Sequence, residues 1–377
     1  TSASAKPAVV RLQPTESVEA SRAPKFRRFV VDHHATGALH SMTFAADGAV
    51  VLAGFASGEV VQWSAVTERC RMTKRHYGAV HSVDTHPDPA VGAAVSGGAD
   101  GMLCRWAIGK SEGKAEALAG HLRTVWMVRH SPDGLYFASC SADCTVRLWD
   151  GKTGQAVTVF DQHKASVTSL AFGSKNLLVS GGWDNDVIIF DVKSRTSVFR
   201  LRGHSARVSR IAISPAADLV VTGSSDCTVR VWSPATGECY DSFEVHGNDV
   251  TEVGISRSTL VSGSADGTIW RMDVKNERPA ADPVLVHTGP ITGLHFSPDE
   301  SVVATVSTDG SAALWDAMSL RNICRFIEPG SNPISCCVFS PDGTKLVTGG
   351  KAGKLIVWDL LPQLSTAKQK RESCVIC

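Results

Sequence analysis

The sequence lacks the patterns of a membrane span, a secretory signal and a disulfide framework. Its 377 residues are 43% hydrophobic and 20% charged, yet no apolar run reaches the roughly 18 residues that a membrane helix needs. The first residues, TSASAKPAVV, contain no apolar core of a signal peptide. The 11 cysteines are an odd number, and we expect reduced thiols that pack as small apolar groups. These absences predict a cytoplasmic protein.

An excess of charge of one sign and the motifs of catalysis are also missing. Lys and Arg total 38 and Asp and Glu total 37, so the net charge of +1 offers no basic field for nucleic acid. The sequence contains no His-x-x-x-His. The loop at 349–354 lacks the Gly-Lys-Ser/Thr of a phosphate-binding loop. We therefore predict that the chain is not an enzyme, with no catalytic residue, cofactor, metal or small-molecule substrate.

The rest of the chain is organised around the stretch Gly120–Asp150, GHLRTVWMVRHSPDGLYFASCSADCTVRLWD. Turn residues divide it into three short apolar runs. Pro132-Asp133-Gly134 favours a tight turn, because proline presets φ and glycine accepts positive φ. Three strands with two tight turns form an antiparallel meander, which cannot bury both of its faces alone. The meander is therefore expected to recur along the chain.

The meander recurs eight times, at intervals of 40 to 43 residues. Its closing aromatic position is filled by Trp63, Trp106, Trp149, Phe190, Trp232, Met272, Trp315 and Trp358. An aspartate precedes this position by six residues in copies two to seven, and a serine or threonine precedes it by ten in copies two to eight. A histidine opens the repeat in copies two to seven. All four residue types occur in copies two, three, five and seven, as His76, Ser96, Asp100, Trp106; His121, Ser139, Asp143, Trp149; His204, Thr222, Asp226, Trp232; and His287, Thr305, Asp309, Trp315.

This pattern resembles the WD40 repeat family over most of the chain. The resemblance implies an all-β fold, a single propeller of four-stranded blades around a central channel. Eight copies predict eight blades, although seven blades with a divergent segment is an alternative because the last copy lacks the histidine and the aspartate. No fourth strand follows Trp358, whereas Phe26–Val31 precedes the first copy without a blade of its own. We expect this N-terminal strand to pair with the last blade and close the ring.

The repeat defines three parts of the chain. Residues 1–24 are predicted to form a flexible N-terminal tail, 25–361 the propeller, and 362–377 a polar and basic C-terminal tail. In the family, the recurrent histidine, serine or threonine, aspartate and tryptophan form a chain of hydrogen bonds that braces a blade. A catalytic role for the four is the weaker interpretation, because an active site would not recur four times around a ring.

Departures from the repeat indicate where a partner binds. Small residues usually precede the turn aspartate, but blade four carries Trp183, which either packs against a neighbouring loop or is an exposed anchor. The residue that follows the first valine of the inner strand is expected to point towards the rim of the channel. This position carries His40, His81 and Trp126 in consecutive blades, while Arg207 and Asp249 stand one residue before the valine in blades five and six. We predict that these six residues form a partner-binding surface on the top face.

The chain ends in Cys374-Val375-Ile376-Cys377, preceded by three basic residues. Two aliphatic residues after a cysteine at the fourth position from the end resemble a prenylation box, which makes Cys374 a candidate lipidation site. The final cysteine departs from the usual residues of such a box, and a plain flexible tail is the alternative.

The leading functional hypothesis is a non-enzymatic scaffold, a WD-repeat subunit of a cytoplasmic or cytoskeleton- or cilium-associated assembly that binds several proteins through its top face. One alternative is a prenylated signalling adaptor at a membrane, which depends on Cys374. Another is a substrate receptor of a cullin-type ubiquitin ligase. Members of that subfamily usually carry Trp-Asp-x-Arg, and arginine is absent from the matching places here, such as Trp149-Asp150-Gly151-Lys152.

Overall fold

Short antiparallel strands account for all the regular structure described in the computed structural model of the chain. The structure describes residues 28–31, 35–108, 115–174, 176–274, 278–279, 282–328 and 330–360. Within these ranges no helix is long and apolar enough to cross a membrane. Both predicted tails, 1–24 and 362–377 with Cys374, lie outside the described residues.

In the described part of the chain, 33 strands form eight sheets, the blades of a propeller, numbered here in chain order. Blade one contains β2 (Leu39–Phe44), β3 (Val50–Phe55), β4 (Glu59–Ser64) and β5 (Cys70–Lys74). Blade two contains β6 (Val80–Thr85), β7 (Ala93–Gly98), β8 (Leu103–Ala107) and β9 (Glu116–Leu118). Blade three contains β10 (Val125–His130), β11 (Tyr136–Ser141), β12 (Val146–Asp150) and β13 (Ala156–Phe160). Blade four contains β14 (Val167–Phe172), β15 (Leu177–Gly182), β16 (Val187–Asp191) and β17 (Thr196–Leu201).

The remaining four blades follow the same plan with two variations. Blade five contains β18 (Val208–Ile213), β19 (Val220–Ser224), β20 (Thr228–Trp232) and β21 (Cys239–Glu244). Blade six contains β22 (Val250–Ile255), β23 (Thr259–Ser264), β24 (Thr268–Asp273) and two short outer strands, β25 (Arg278–Pro279) and β26 (Val284–Leu285). Blade seven contains β27 (Ile291–Phe296), β28 (Val302–Ser307), β29 (Ser311–Asp316) and β30 (Asn322–Ile327). Blade eight contains β31 (Ile334–Phe339), β32 (Lys345–Gly350), β33 (Leu355–Asp359) and β1 (Arg28–Val31).

The ring closes through the N-terminal strand. β1 pairs antiparallel with β33, from Arg28 opposite Trp358 to Val31 opposite Leu355. The inner strands of neighbouring blades contact one another around the whole ring, including β31 with β2. The eight-bladed prediction and the closing role of the N-terminal strand are therefore confirmed, and the seven-bladed alternative is wrong.

The core lies between the blades, because each sheet buries one face against the next. Trp149 and Phe137 of blade three stack with ring centroids 5.9 Å apart, and they pack with Val95 of blade two. Glycine permits this close approach at the end of several second strands. A Cβ atom on Gly97 would lie 2.5 Å from Cγ1 of Val125 in the next blade.

Every inner strand carries a β-bulge at the same place. The register to the second strand shifts immediately after the first residue of each inner strand, for example between Val125 and Met127 in blade three. The residue inside the shift has no direct partner on the second strand, so its side chain is free to take a different direction. The bulged residues are His40, His81, Trp126, Thr168, Ser209, Thr251, Thr292 and Ser335.

Candidate functional site

Hydrogen bonds between two kinds of loop define the top face of the propeller. One loop joins the outer strand of a blade to the next inner strand and carries the recurrent histidine, and the other is the turn with the recurrent aspartate. In blade three, His121 Nδ1 lies 2.9 Å from Asp143 Oδ2, and the backbone N–H of Leu122 donates to the same carboxylate at 3.0 Å. The two loops therefore lie at the same end of the blade.

The four predicted residues join into one chain of hydrogen bonds in blades three and five. In blade three, Ser139 Oγ lies 2.8 Å from His121 Nε2 and accepts the indole N–H of Trp149 at 2.9 Å. In blade five the three distances between the four residues are similar: His204 to Asp226 at 2.8 Å, His204 to Thr222 at 2.7 Å, and Trp232 to Thr222 at 2.9 Å.

Blade two departs from the predicted network, because Trp106 takes no part in it. His76 lies 3.0 Å from Asp100 and 2.7 Å from Ser96, but the buried Nε1 of Trp106 has no hydrogen-bond partner among the described residues. The short strand β9 pairs with residues 103–105 and does not reach Trp106. The guanidinium of Arg75 lies 4.9 Å from the centroid of the Trp106 ring. In blades three, five and seven, by contrast, the outer strand reaches the tryptophan and pairs with it after a register shift.

In blade seven the network needs a fifth residue. His287 Nδ1 lies 3.5 Å from Asp309 but 2.8 Å from the hydroxyl of Ser311, which itself donates to Asp309 at 2.6 Å. Thr305 Oγ1 lies 2.8 Å from His287 Nε2 and accepts the indole N–H of Trp315 at 2.8 Å. The predicted direct contact of His287 with Asp309 is thus replaced by a relay through Ser311.

Sequence analysis missed this fifth residue, two positions after the aspartate. Thr145 and Thr228 occupy it in blades three and five, and each hydroxyl donates to the preceding aspartate at 2.7 Å. In blade six the hydroxyl of Thr268 donates to Asp266 at 2.6 Å and lies 2.7 Å from His246 Nδ1. The signal was present in the sequence as a recurrent Thr or Ser two residues after the aspartate.

The protonation of these groups favours bracing over proton transfer. Burial raises the pKa of Asp226, but hydrogen bonds from Thr228 and the charge of His204 outweigh it and hold the pKa at about 2. Burial lowers the pKa of His287 to about 4, despite the opposing effect of Asp309. At neutral pH Asp226 is therefore an anion and His287 is neutral. Such a satisfied buried network rigidifies the turns.

The six residues predicted to bind a partner form a continuous arc, the top-face arc. On its inner side the bulged residues lie ring against ring: His40 and His81 have centroids 5.5 Å apart, and His81 and Trp126 have centroids 4.7 Å apart. The indole N–H of Trp126 donates to Ser166 Oγ at 3.0 Å, and the backbone N–H of Trp183 donates to the carbonyl of Ser166 at 2.8 Å. Ser166, which sequence analysis missed, thus links the two tryptophans.

The arc continues across blades four to six through charged groups. The guanidinium of Arg207 lies 5.8 Å from the ring centroid of Trp183. Its Nη2 lies 3.3 Å from Asp249, and the hydroxyl of Ser225 bridges the pair, accepting from Arg207 at 2.9 Å and donating to Asp249 at 2.8 Å. Trp183 therefore contacts its neighbour and still leaves 54% of its surface exposed.

Two exposed apolar side chains add to the top face and were not expected. Tyr77 is 96% exposed and Leu122 is 87% exposed. Each follows a recurrent histidine, and the backbone N–H of Tyr77 donates to Asp100 at 2.9 Å as that of Leu122 does to Asp143. These two backbone hydrogen bonds to the recurrent aspartates therefore hold the side chains of Tyr77 and Leu122 outward. The sequence signal was a large apolar residue at a position that is otherwise Lys, Ser, Gly or Thr.

Not every bulged residue belongs to a binding surface. The hydroxyls of Thr168, Thr251 and Thr292 donate to backbone carbonyls of the next blade, at 3.2, 2.7 and 2.6 Å. These threonines fasten one blade to another. The same position therefore serves cohesion in blades four, six and seven, and it presents aromatic rings in blades one to three.

Comparison with known proteins supports the repeat analysis. The family model described as WD domain, G-beta repeat matches residues 114–150, 154–191, 195–233, 237–270, 283–316 and 322–359, which correspond to blades three to eight. Among solved structures, the crystal structure of the computationally designed Ika8 protein superposes with a TM-score of 0.75 at 26% identity, over 86% of this chain and 96% of the designed protein.

Several natural relatives share part of the chain. The Periodic tryptophan protein 2 homolog of Caenorhabditis elegans is 25% identical over 62% of this chain and 25% of its own length. The Ribosome biogenesis protein WDR12 homolog of Chlamydomonas reinhardtii is 28% identical over 61% of this chain and 62% of its own length. Pre-mRNA-processing factor 19 of Bos taurus is 28% identical over 44% of this chain and 34% of its own length. The matches thus span between a quarter and about three fifths of these relatives.

Proposed function

We propose a scaffolding function for this chain, which belongs to the WD40 repeat family. It is a non-enzymatic subunit of a multiprotein assembly and holds protein partners on the top face of its propeller. The WD-repeat relatives support a protein-interaction scaffold, and by name two of them are a ribosome biogenesis protein and a pre-mRNA-processing factor. The assembly that this chain serves is not identified by those names.

The continuity of the top-face arc carries the proposal. Aromatic and arginine side chains are the commonest anchors of protein interfaces, and here they lie next to one another on a rigid frame. Trp183 is more than half exposed, although burying an indole contributes strongly to association. Burial lowers the pKa of His81 to about 4, so the inner end of the arc is uncharged at neutral pH. A partner can cover these rings without desolvating a charged imidazole.

Pull-down from native cells, with bound proteins quantified by mass spectrometry, tests this surface. We expect Trp183→Ala and Trp126→Ala to lose partners that the unaltered protein retains, because each removes an aromatic anchor. Leu135→Ala is the matched control, since Leu135 is 59% exposed in the turn between β10 and β11, at the opposite end of blade three. Unchanged thermal unfolding midpoints establish that the variants fold. Equal partner recovery by all three variants would show that the arc is not the binding surface.

Lipidation of Cys374 and a cytoplasmic location remain proposals of their own. The C-terminal sequence supports the first, and the mass of the C-terminal peptide from native protein decides it: a prenyl group on Cys374 supports a membrane-bound adaptor, and an unmodified tail removes that version. The ligase-receptor version has the weaker support because the matching places lack arginine.

A further inference from the structure

A cavity of about 580 Å³ lies on the axis of the propeller and is lined by the inner strands of all eight blades. Small-ligand sites in proteins commonly occupy roughly 300–1,000 Å³. The bulged rings of His81 and Trp126 stand among its lining residues, and the polar side chains of Ser82 and Arg129 lie there as well. The space is therefore large enough for a small organic molecule and contains groups that can orient one.

Most charges in this cavity are paired across neighbouring blades. Arg210 binds Glu252, with its Nε 2.9 and 3.0 Å from the two carboxylate oxygens. Asp84 accepts from His130, whose Nδ1 lies 2.9 Å away. Each of these groups has a partner that offsets the cost of leaving bulk water.

Arg129 differs from these groups. Its Nη1 donates to the carbonyl of Val128 at 3.0 Å and lies 3.4 Å from Ser82 Oγ. Within the described part of the chain, no carboxylate oxygen comes within 4.0 Å of its guanidinium. A guanidinium carries five N–H donors in a planar fork, so donors beyond those at Val128 and Ser82 remain for a ligand.

The place of this guanidinium favours an anion that enters from the top face. Arg129 follows the bulged Trp126 by three residues on β10. Its side chain reaches Ser82, the residue after His81 on the inner strand of blade two. On the opposite side of the axis, His295 of blade seven lines the same cavity. A guanidinium and an imidazole thus border one space.

We propose that the channel is a binding site for a small oxyanion, a molecule that carries a carboxylate or phosphate group, held by Arg129 with His295. The anionic group accepts the unused N–H donors of Arg129. Ser82 positions the guanidinium, because its hydroxyl accepts from Arg129 and from the backbone N–H of Val128 and donates to the carbonyl of Val128 at 3.4 Å. Charge-assisted hydrogen bonds of this kind are the stronger ones in proteins, and the enclosed setting strengthens them further. This site does not depend on the proposed scaffolding function, because Arg129 and His295 are not members of the top-face arc, although His81 and Trp126 border both the arc and the cavity.

Isothermal titration calorimetry with two probes, inorganic phosphate and citrate, tests the site. Both are titrated at constant ionic strength, with chloride as the balancing anion. We expect saturable binding of at least one probe, and its identity shows whether the site takes phosphate or carboxylate. Arg129→Gln is expected to weaken that binding about 10- to 100-fold, as loss of a charged hydrogen-bonding group does. Arg129→Lys keeps the charge without the fork and is expected to bind with intermediate affinity.

Arg123→Gln is the matched control, because Arg123 is exposed on the top face just before β10 and does not line the cavity. It removes the same charge and is expected to leave binding unchanged. Equal binding by the unaltered protein, Arg129→Gln and Arg123→Gln overturns the proposal, and so does the absence of saturable binding to both probes at millimolar concentration. Near-ultraviolet circular dichroism of each variant verifies the fold, and the result for Arg129→Lys decides the question if Arg129→Gln is unstable.

Discussion

At the scale of single residues, the type of a side chain shows which hydrogen bond it requires, but it does not show whether that bond forms. The indole N–H of a buried tryptophan requires an acceptor, and Trp149 finds one in Ser139 at 2.9 Å. Trp106 stands at the equivalent place in blade two and is equally buried, but its N–H has no partner in the part of the chain that the structure describes. An unsatisfied buried donor lowers stability, whereas a satisfied one adds to it.

This contrast predicts opposite results from one substitution. Trp149→Phe removes a satisfied N–H and leaves Ser139 one donor short, so we expect a loss of about 1 kcal/mol beyond the effect of the smaller ring. Trp106→Phe removes an unsatisfied N–H, and we expect it to be clearly less destabilising. Denaturant unfolding midpoints of the two variants give the comparison. Since the two positions are 2% and 3% exposed, burial is matched. Equal destabilisation would contradict this account of the two indoles.

At the scale of elements, two strands show how position changes the role of a sequence. β10 contains the bulged Trp126, and the shift of register there explains why a ring at this point leaves the ladder. β1 has no hairpin partner in sequence, yet it completes blade eight. Its Val31 is 3% exposed and packs with Leu355 and Val357 in a cluster that reaches blade one, whereas its neighbour Val30 is 36% exposed.

Closure of the ring therefore depends on one face of β1. We expect Val31→Asp to destabilise the protein by about 3 kcal/mol, because it buries an unpaired charge. The same variant is expected to speed hydrogen exchange of the β33 amides, since their outer partner becomes loose. Val30→Asp places the same charge on the exposed face and serves as the control. If both variants unfold at the same denaturant concentration, the packing of Val31 does not hold the seam.

At the scale of the whole molecule, bracing is uneven around the ring. Blades three and five contain complete four-residue networks. Blade one has Ala53 and Ser57 in place of the serine and aspartate, and its Trp63 N–H has no partner within the described ranges. Of the network bonds, blade eight shows, among its described residues, the one from Trp358 to Thr348, at 2.9 Å. The two least braced blades are also neighbours, on either side of the seam.

We expect local opening to follow this pattern, because regions with fewer buried interactions open at lower free-energy cost. Native-state hydrogen exchange with mass spectrometry is the measurement. Amides of β3, β4, β32 and β33 are expected to exchange faster than those of β11, β12, β19 and β20 in blades three and five. The comparison is confined to second and third strands, which are paired on both sides in every blade. Uniform protection would show that the networks do not set local stability.

The repeat by itself determined the fold and the positions of the bracing residues. Periodicity is a local property of sequence, and a meander that cannot bury both faces has to stack on copies of itself. The closing strand also followed from sequence, because one blade lacked an outer strand and one strand lacked a blade. The residues that depart from the repeat, such as Trp126 and Trp183, were identifiable for the same reason.

Only the tertiary structure decided which contacts these residues make across blades. The link from Trp126 through Ser166 to Trp183 joins residues of two blades, and no spacing in the sequence predicts it. Among the described residues, the lack of an acceptor for the Trp106 N–H and of a carboxylate beside Arg129 was likewise visible only in the structure. Periodicity places a residue on a strand and a face, but hydrogen bonds and ion pairs depend on distances of a few ångströms. Those distances are set only when eight blades close around one axis.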